Sequence, residues 1–112
     1  MAKSYKELGN TNTVANTYTQ LYQVPASTST VLSTISVCNA ASAAGTFRLG
    51  ITESATAASA IAFAEHFVFD TAIAANDAVM LTLGISMSNQ QKLIARAGSA
   101  SVIFMAWGVE IT

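Results

Sequence analysis

Between Pro25 and Asn39 the chain reads Pro-Ala-Ser-Thr-Ser-Thr-Val-Leu-Ser-Thr-Ile-Ser-Val-Cys-Asn, a run rich in β-branched residues and free of charge. Valine, isoleucine and threonine fit the pleated, half-buried surface of a sheet, whereas a proline cannot donate to its ladder. The run therefore predicts a strand over residues 30–38, bounded by Pro25 before it and by Asn39 and small residues after it. Apolar residues fall at both parities, so the strand is expected to be central and covered on both sides. This stretch sets the class of the whole chain, because the other apolar segments repeat its period.

Residues 46–51 alternate cleanly, with Phe47, Leu49 and Ile51 opposite Thr46, Arg48 and Gly50. Residues 63–70 place Phe63, Glu65, Phe67 and Phe69 on one side, a side the phenylalanines assign to the core, with Glu65 near the rim or in need of a partner. Val79, Leu81 and Leu83 follow at period two, with Gly84 permitting a bend before Ile85 and Met87. A Thr/Tyr-rich strand that breaks midway is expected over 13–24, a short one over 92–97 and a last one over 101–111, with Gly98-Ser99 as a hairpin between these two. Residues 52–62 are Ala/Ser/Thr with one glutamate and read as a loop, and Ala74-Ala75-Asn76-Asp77 and 88–91 read as turns. Seven to eight short antiparallel strands separated by turn signals predict an all-β chain, a β-sandwich or jelly roll.

The chain has 112 residues, one domain's worth, and only 10% are charged, with a net charge of −1. A typical soluble domain carries about 25% charged residues. So few charges leave a solitary small domain poorly protected against association, and predict that copies of the chain or a larger assembly cover part of its surface. Lys3, Lys6, Arg48, Lys92 and Arg96 are scattered rather than clustered, which excludes a nucleic-acid footprint. The single cysteine, Cys38, excludes a disulfide framework and fits a buried apolar role in a strand. The polar, charged start through Glu7 shows no secretory signal, and no apolar run reaches the roughly 18 residues that span a bilayer.

Residues 1–12 are polar and without period, and read as an extended N-terminal arm ahead of a single domain over 13–112. In an assembly such an arm lies along a neighbour, with Lys3, Tyr5, Lys6 and Glu7 as its contact residues. The last strand carries Ile103, Met105, Trp107, Val109 and Ile111 on one face and Val102, Phe104 and Ala106 on the other. One of two apolar faces fills the core; the other meets a second layer or subunit, which marks Met105, Trp107 and Val109 as a subunit interface.

Catalytic chemistry finds no foothold. His66 and Asp70 lie four residues apart on one predicted strand, roughly 13 Å between Cα atoms, too far for a direct bond or a shared metal. A histidine-centred site would need partners from other strands. Cys38 lacks a base, the carboxylates Glu53, Glu65, Asp70, Asp77 and Glu110 are dispersed, and there is no phosphate loop, metal-ligand spacing or nucleophile elbow. Tyr18, Tyr22 and Trp107 read as core or interface residues rather than a sugar-stacking surface. The chain is expected to be no enzyme and to need no cofactor or metal.

Six segments in order, Leu21-Tyr22-Gln23-Val24-Pro25-Ala26, Ile35-Ser36-Val37-Cys38-Asn39, Phe47-Arg48-Leu49, Ala75-Asn76-Asp77, Leu81-Thr82-Leu83-Gly84-Ile85 and Gly108-Val109-Glu110-Ile111, carry a resemblance to small β-sandwich virion structural proteins of tailed bacteriophages. It spans about residues 21 to 111. One departure is Asn89-Gln90-Gln91, where a Gly-Asp turn would be expected. The resemblance implies a capsid cement or decoration protein, synthesised in the host bacterial cytoplasm and located on the capsid surface of the virion. Such proteins form trimers over junctions of the major capsid protein, and neither nucleic acid nor membrane is a partner. The alternative is a tail, neck or baseplate module contacting host glycan. Its mark would be exposed loop aromatics, and residues 52–62 contain none.

Overall fold

The computed structural model describes residues 3–112. Eight strands form two four-stranded sheets: β1 (Lys3–Asn12), β2 (Thr19–Gln23), β3 (Ser29–Asn39), β4 (Gly45–Thr52), β5 (His66–Ile73), β6 (Asp77–Met87), β7 (Lys92–Ala97) and β8 (Val102–Ile111). Sheet A has the order β1-β8-β3-β6 and sheet B the order β2-β7-β4-β5, with every pairing antiparallel. The chain crosses between sheets at every connection except β4 to β5. This is the eight-stranded jelly-roll arrangement of a β-sandwich.

The core lies between the sheets. From sheet A it takes Leu32, Ile35, Val37, Phe104 and Ala106, and from sheet B Phe47, Leu49, Leu93 and Ala95, all at most 1% exposed. Phe47 and Phe104 meet edge to face across the gap, with ring centroids 6.2 Å apart at 66°, a favoured aromatic geometry. The strand over 30–38 is central, as its composition predicts, but only one of its faces is sealed. Val31, Thr34, Ser36 and Cys38 stay half-exposed on the outer face, because among the described residues no third layer covers sheet A.

Several sequence expectations change. The extended arm over 1–12 is, from Lys3 to Asn12, an edge strand whose backbone pairs with β8 from Ile111 back to Ile103, with Leu8 packed on the core. Its polar, aperiodic sequence reflects an edge position with most side chains in solvent. Met1 and Ala2 lie outside the described residues. The strand expected over 13–24 is reduced to β2, and residues 14–17 turn, with Asn16 at φ 57°. Gly98-Ser99 is no hairpin: β7 and β8 belong to different sheets, and the Gly98 amide donates to the Thr46 carbonyl. At the position where a Gly-Asp turn would be expected, Gln90 adopts φ 63°, a left-handed conformation that costs a non-glycine residue.

The segment 63–70 departs most. Phe63–Glu65 forms a 3-10 turn, and strand β5 begins only at His66. Phe63 is 76% exposed and Phe69 42% exposed, so they do not belong to the core. Two register shifts between β4 and β5, with Asp70 at φ 50°, break the alternation on which the sequence assignment rested. Glu65 finds partners: its carboxylate accepts the Ala62 amide at 2.8 Å and the Thr52 hydroxyl at 3.0 Å. The loop between β4 and β5 is thereby folded back over the outside of sheet B. An ideal Cβ at Gly50 would stand 2.9 Å from the Glu65 carbonyl oxygen, so only glycine admits this close approach.

At one end of the sandwich, buried Asn39 holds two connections. Its side-chain oxygen accepts the Ala41 amide, and its side-chain nitrogen donates to the Ala43 carbonyl at 3.0 Å and the Ala74 carbonyl at 3.1 Å. Losing that side chain strands buried backbone groups, each expensive to leave unpaired. Asn39→Ala is expected to destabilise the domain by about 2 kcal/mol, read as a lower midpoint of denaturant unfolding with an unchanged slope.

Candidate interaction surface

Charge is divided unevenly between the two sides of the sandwich. Arg48, Lys92, Arg96, Glu53, Glu65 and Asp70 all belong to sheet B and its covering loop. On the outer face of sheet A, cross-strand pairing produces rows of side chains on one surface. They run Tyr5-Val109-Val31-Ser86, Glu7-Trp107-Thr34-Thr82, Asn10-Met105-Ser36-Met80 and Asn12-Ile103-Cys38-Ala78. Among the described residues, the only charged ones on this face are Glu7 and Lys3, both on edge strand β1; β8, β3 and β6 contribute none to it. Tyr5 is 63% exposed, Met80 62% and Ile103 37%, and Met105, Trp107 and Val109 are half-exposed between them.

The fold brings together two groups that are a hundred residues apart in the chain. Tyr5 lies opposite Val109 and Glu7 opposite Trp107, so Lys3, Tyr5 and Glu7 share a face with Met105, Trp107 and Val109. Tyr5 also reaches across β8 to donate a hydrogen bond to the Ser33 hydroxyl on β3 at 3.3 Å. Lys6 has the opposite parity and turns inward. Its ammonium pairs with Glu110 at 2.7 Å, and Glu110 also accepts the Tyr22 hydroxyl from β2. Tyr22 in turn bonds the buried Thr30 hydroxyl at 2.8 Å. This chain of contacts closes the β1/β2 margin of the sandwich. Lys6, in hydrogen-bond contact, and then the Tyr22 hydroxyl hold the Glu110 carboxyl below its ordinary value, while burial and the neighbouring carboxylate push the Tyr22 phenol well above its own.

A second cluster lies on sheet B. His66 finds the partners from other segments that a histidine-centred site requires. Its Nε2 bonds the Tyr18 hydroxyl at 3.0 Å, and its Nδ1 lies 3.1 Å from the Phe63 carbonyl. Arg48 donates to the same Tyr18 hydroxyl at 2.9 Å, to Asp70 at 2.7 and 3.1 Å, and stacks 4.0 Å above the Phe69 ring. The Asp70 carboxyl is lowered chiefly by its bond to Arg48. Facing a carbonyl oxygen, His66 Nδ1 is placed to donate, and Nε2 is left to the Tyr18 hydroxyl. Arg48, Tyr18 and His66 thus form one hydrogen-bonded run across three segments. The exposed Phe63 and Phe69 rings, edge to face at 5.1 Å, flank it.

Sequence alternation identifies the β8 half of the sheet A surface. It misses Met80 and the proximity of β1, since strand order is not written in any local pattern. Parity did carry a signal for Met80, the one large apolar side chain opposite the Val79-Leu81-Leu83 face. Among the described residues no three of His, Cys, Asp and Glu converge on a common point, and no pocket is found.

No protein-family model matches the chain, and no curated protein does. Among solved structures it is similar to a pentameric capsid protein isolated from metagenomic phage sequences, at 19% identity and a TM-score of 0.28. The match covers 96% of this chain and 60% of that one, so the chain spans three fifths of its length.

The Lys6–Glu110–Tyr22 tie makes stability depend on pH with a definite sign. Glu110 has a folded-state pKa below its ordinary value of 4.5. Its contribution is therefore complete above that value and lost as pH falls through the lower folded-state value. Glu110→Gln is expected to be less stable than the native chain at neutral pH and to lose less stability between about pH 6 and about pH 3. Denaturant midpoints measured across that range check this.

Proposed function

We propose that the chain is a non-enzymatic structural protein of a bacteriophage particle, a capsid cement or decoration protein that associates with itself and stabilises the shell. The observation that carries this reading is the outer face of sheet A, apolar at its centre and uncharged on three of its four strands. Such a face favours contact over exposure. The six sequence segments that resemble tailed-phage virion proteins point the same way, and the jelly-roll architecture recurs among viral capsid domains, an analogy at the level of fold.

On this reading the action is mechanical. Met105, Trp107 and Val109 pack against other copies, with the trimer that the resemblance implies as the assembly, and closed symmetry buries the same patch on every subunit. The β1 edge, with Lys3, Tyr5 and Glu7, lies beside that patch and meets the major capsid protein. Many copies on one shell turn modest single contacts into firm attachment through avidity. The chain is made in the host cytoplasm and resides on the capsid surface.

Trp107→Glu places a charge at the centre of the face. It is expected to reduce the mass seen by light scattering to that of a smaller species and to abolish binding to phage shells, while circular dichroism keeps the strand signal. A native chain that is monomeric in solution and ignores shells overturns the proposal, and a pentamer corrects the trimer alone.

A second reading, a tail, neck or baseplate module touching host glycan, is favoured by one observation. Phe63 and Phe69 stand exposed beside the Arg48–Tyr18–His66 cluster, immediately after the aromatic-free loop. Exposed rings of this kind are the stacking platforms sugars use. On that reading host surface glycans bind the native chain, and Phe63→Ala weakens binding by roughly tenfold, about 1.4 kcal/mol. Few copies per particle, rather than many, would accompany it.

A further inference from the structure

The two sheets have four edge strands, and three of them carry protection against pairing with another chain. Strand β1 bears Lys3, Lys6 and Glu7; β2 has five residues and is followed at once by Val24-Pro25; β5 bears His66 and Asp70, and Arg48 reaches over it. Charge, shortness and proline are the usual means by which proteins blunt an edge. Strand β6 carries one charge, Asp77 at its first residue, and none of these features beyond it. It is eleven residues long and runs from Ala78 to Met87 without a charge or a proline. Its single bulge, opposite Ser33, does not set it apart, since a register shift accompanies the other three edges too.

The margin under β6 is also unfinished. Val79, Leu81, Leu83 and Ile85 point inward and pack on the core, yet all four remain half-exposed, whereas Leu32, Ile35 and Val37 on neighbouring β3 are 0% exposed. The opposite margin, by contrast, is closed by Lys6, Glu110 and Tyr22.

We infer that β6 is a seam at which a second copy of this chain adds its own β6, antiparallel, about a two-fold axis through Thr82. The sequence of the strand is complementary to its own reverse about that residue. On the outer face Met80 falls opposite Gly84 of the second copy, Ala78 opposite Ser86, and Thr82 opposite Thr82. On the inner face Leu81 falls opposite Leu83 and Val79 opposite Ile85. The largest outer side chain thus meets the one position without a side chain, where an added Cβ would encounter nothing within 4 Å. Thr–Thr and aliphatic pairs of this kind are favourable across strands. A head-to-tail contact with β1 would instead set Lys3 and Glu7 beside a strand with no charge to offer them between Ala78 and Met87. The symmetric seam joins two four-stranded sheets into one of eight and covers the four half-exposed inner side chains. It runs along the free edge of the sheet whose outer face carries Trp107, with Met80 common to both, and holds whether or not the chain belongs to a virion.

Cross-linking tests it. In a Cys38→Ser background, Thr82→Cys places two thiols on the axis, and mild oxidation is expected to yield a covalent dimer on a non-reducing gel. Ser4→Cys, an exposed thiol on the β1 edge, is the control and is expected to stay single. Thr82→Lys is expected to halve the mass of the native species by light scattering while leaving the circular dichroism unchanged. Cross-linking of Thr82→Cys no greater than that of Ser4→Cys overturns the seam, whatever the outcome of shell binding. Cross-linking at Thr82 in a chain that ignores phage shells leaves the seam standing and removes the capsid reading alone.

Discussion

The contact between the inner faces of the two sheets, centred on Phe47 and Phe104, governs the rest of the molecule. Each sheet has two faces, and in a two-layer sandwich only one of each can be buried. The residues that satisfy the core alternate along each strand: Phe104 and Ala106 on β8, Leu93 and Ala95 on β7, and on β3 Leu32 and then, past the register shift at Ser33, Ile35 and Val37. Whatever stands at the other parity is left for solvent, for the covering loop or for a partner. The two sheets answer this differently. Sheet B covers Gly50 and Ile94 with its own loop and surrounds them with charged residues; Ile94 is 1% exposed although it sits on the outer side. Sheet A has no such cover, and its outer face carries Met105, Trp107, Val109, Val31 and Met80 in adjacent rows.

The low content of charge becomes intelligible in this arrangement. Eleven charged side chains are enough to wet one side of a small sandwich and its edges, provided they are not spread evenly. Six of them gather on sheet B, Lys6 and Glu110 tie the β1 margin, Asp77 stands at the start of β6, and what remains near the outer face of sheet A is Lys3 and Glu7. An even distribution would have produced a uniformly marginal surface. The uneven one produces a solvated side and a side poor in charge, which makes composition a statement about which side is suited to contact.

Much of this was legible before folding, and what was not has definite causes. Alternation reads correctly in β4, β6 and β8, because a period of two survives whatever a strand pairs with; in β3 the register shift at Ser33 moves the core from Leu32 to Ile35 and Val37, so apolar residues at both parities serve one buried face. Strand order was illegible because all but one connection cross between sheets, so neighbours in the chain are seldom neighbours in a ladder. For the same reason Gly98-Ser99, a good hairpin signal, joins two sheets instead. The failure at Phe63 and Phe69 has another origin. Register shifts on both sides of Leu49 and a left-handed Asp70 reset the parity of β5, and a reset of one residue exchanges core and solvent. Strand β1 was invisible because an edge strand needs backbone partners more than apolar side chains, and its partner β8 lies at the far end of the sequence.

The two unfinished features of sheet A, an apolar face and an unprotected edge, are independent in the sequence but meet in the fold. Met80 belongs to both: its side chain lies in the row with Met105, and its backbone belongs to the free edge. A contact at either feature therefore changes the exposure of the other. Copies joined along β6 would present the outer faces of two sheets as one continuous apolar surface, wider than either alone and bounded at both ends by the Lys3 and Glu7 edges. The free energy released by burying such a face grows with its apolar area, while the edge adds directional backbone hydrogen bonds that fix orientation. The face supplies strength without a preferred angle; the edge supplies an angle with modest strength. Both stand on one sheet with almost no charge between them, so a partner that met the edge would also find the face.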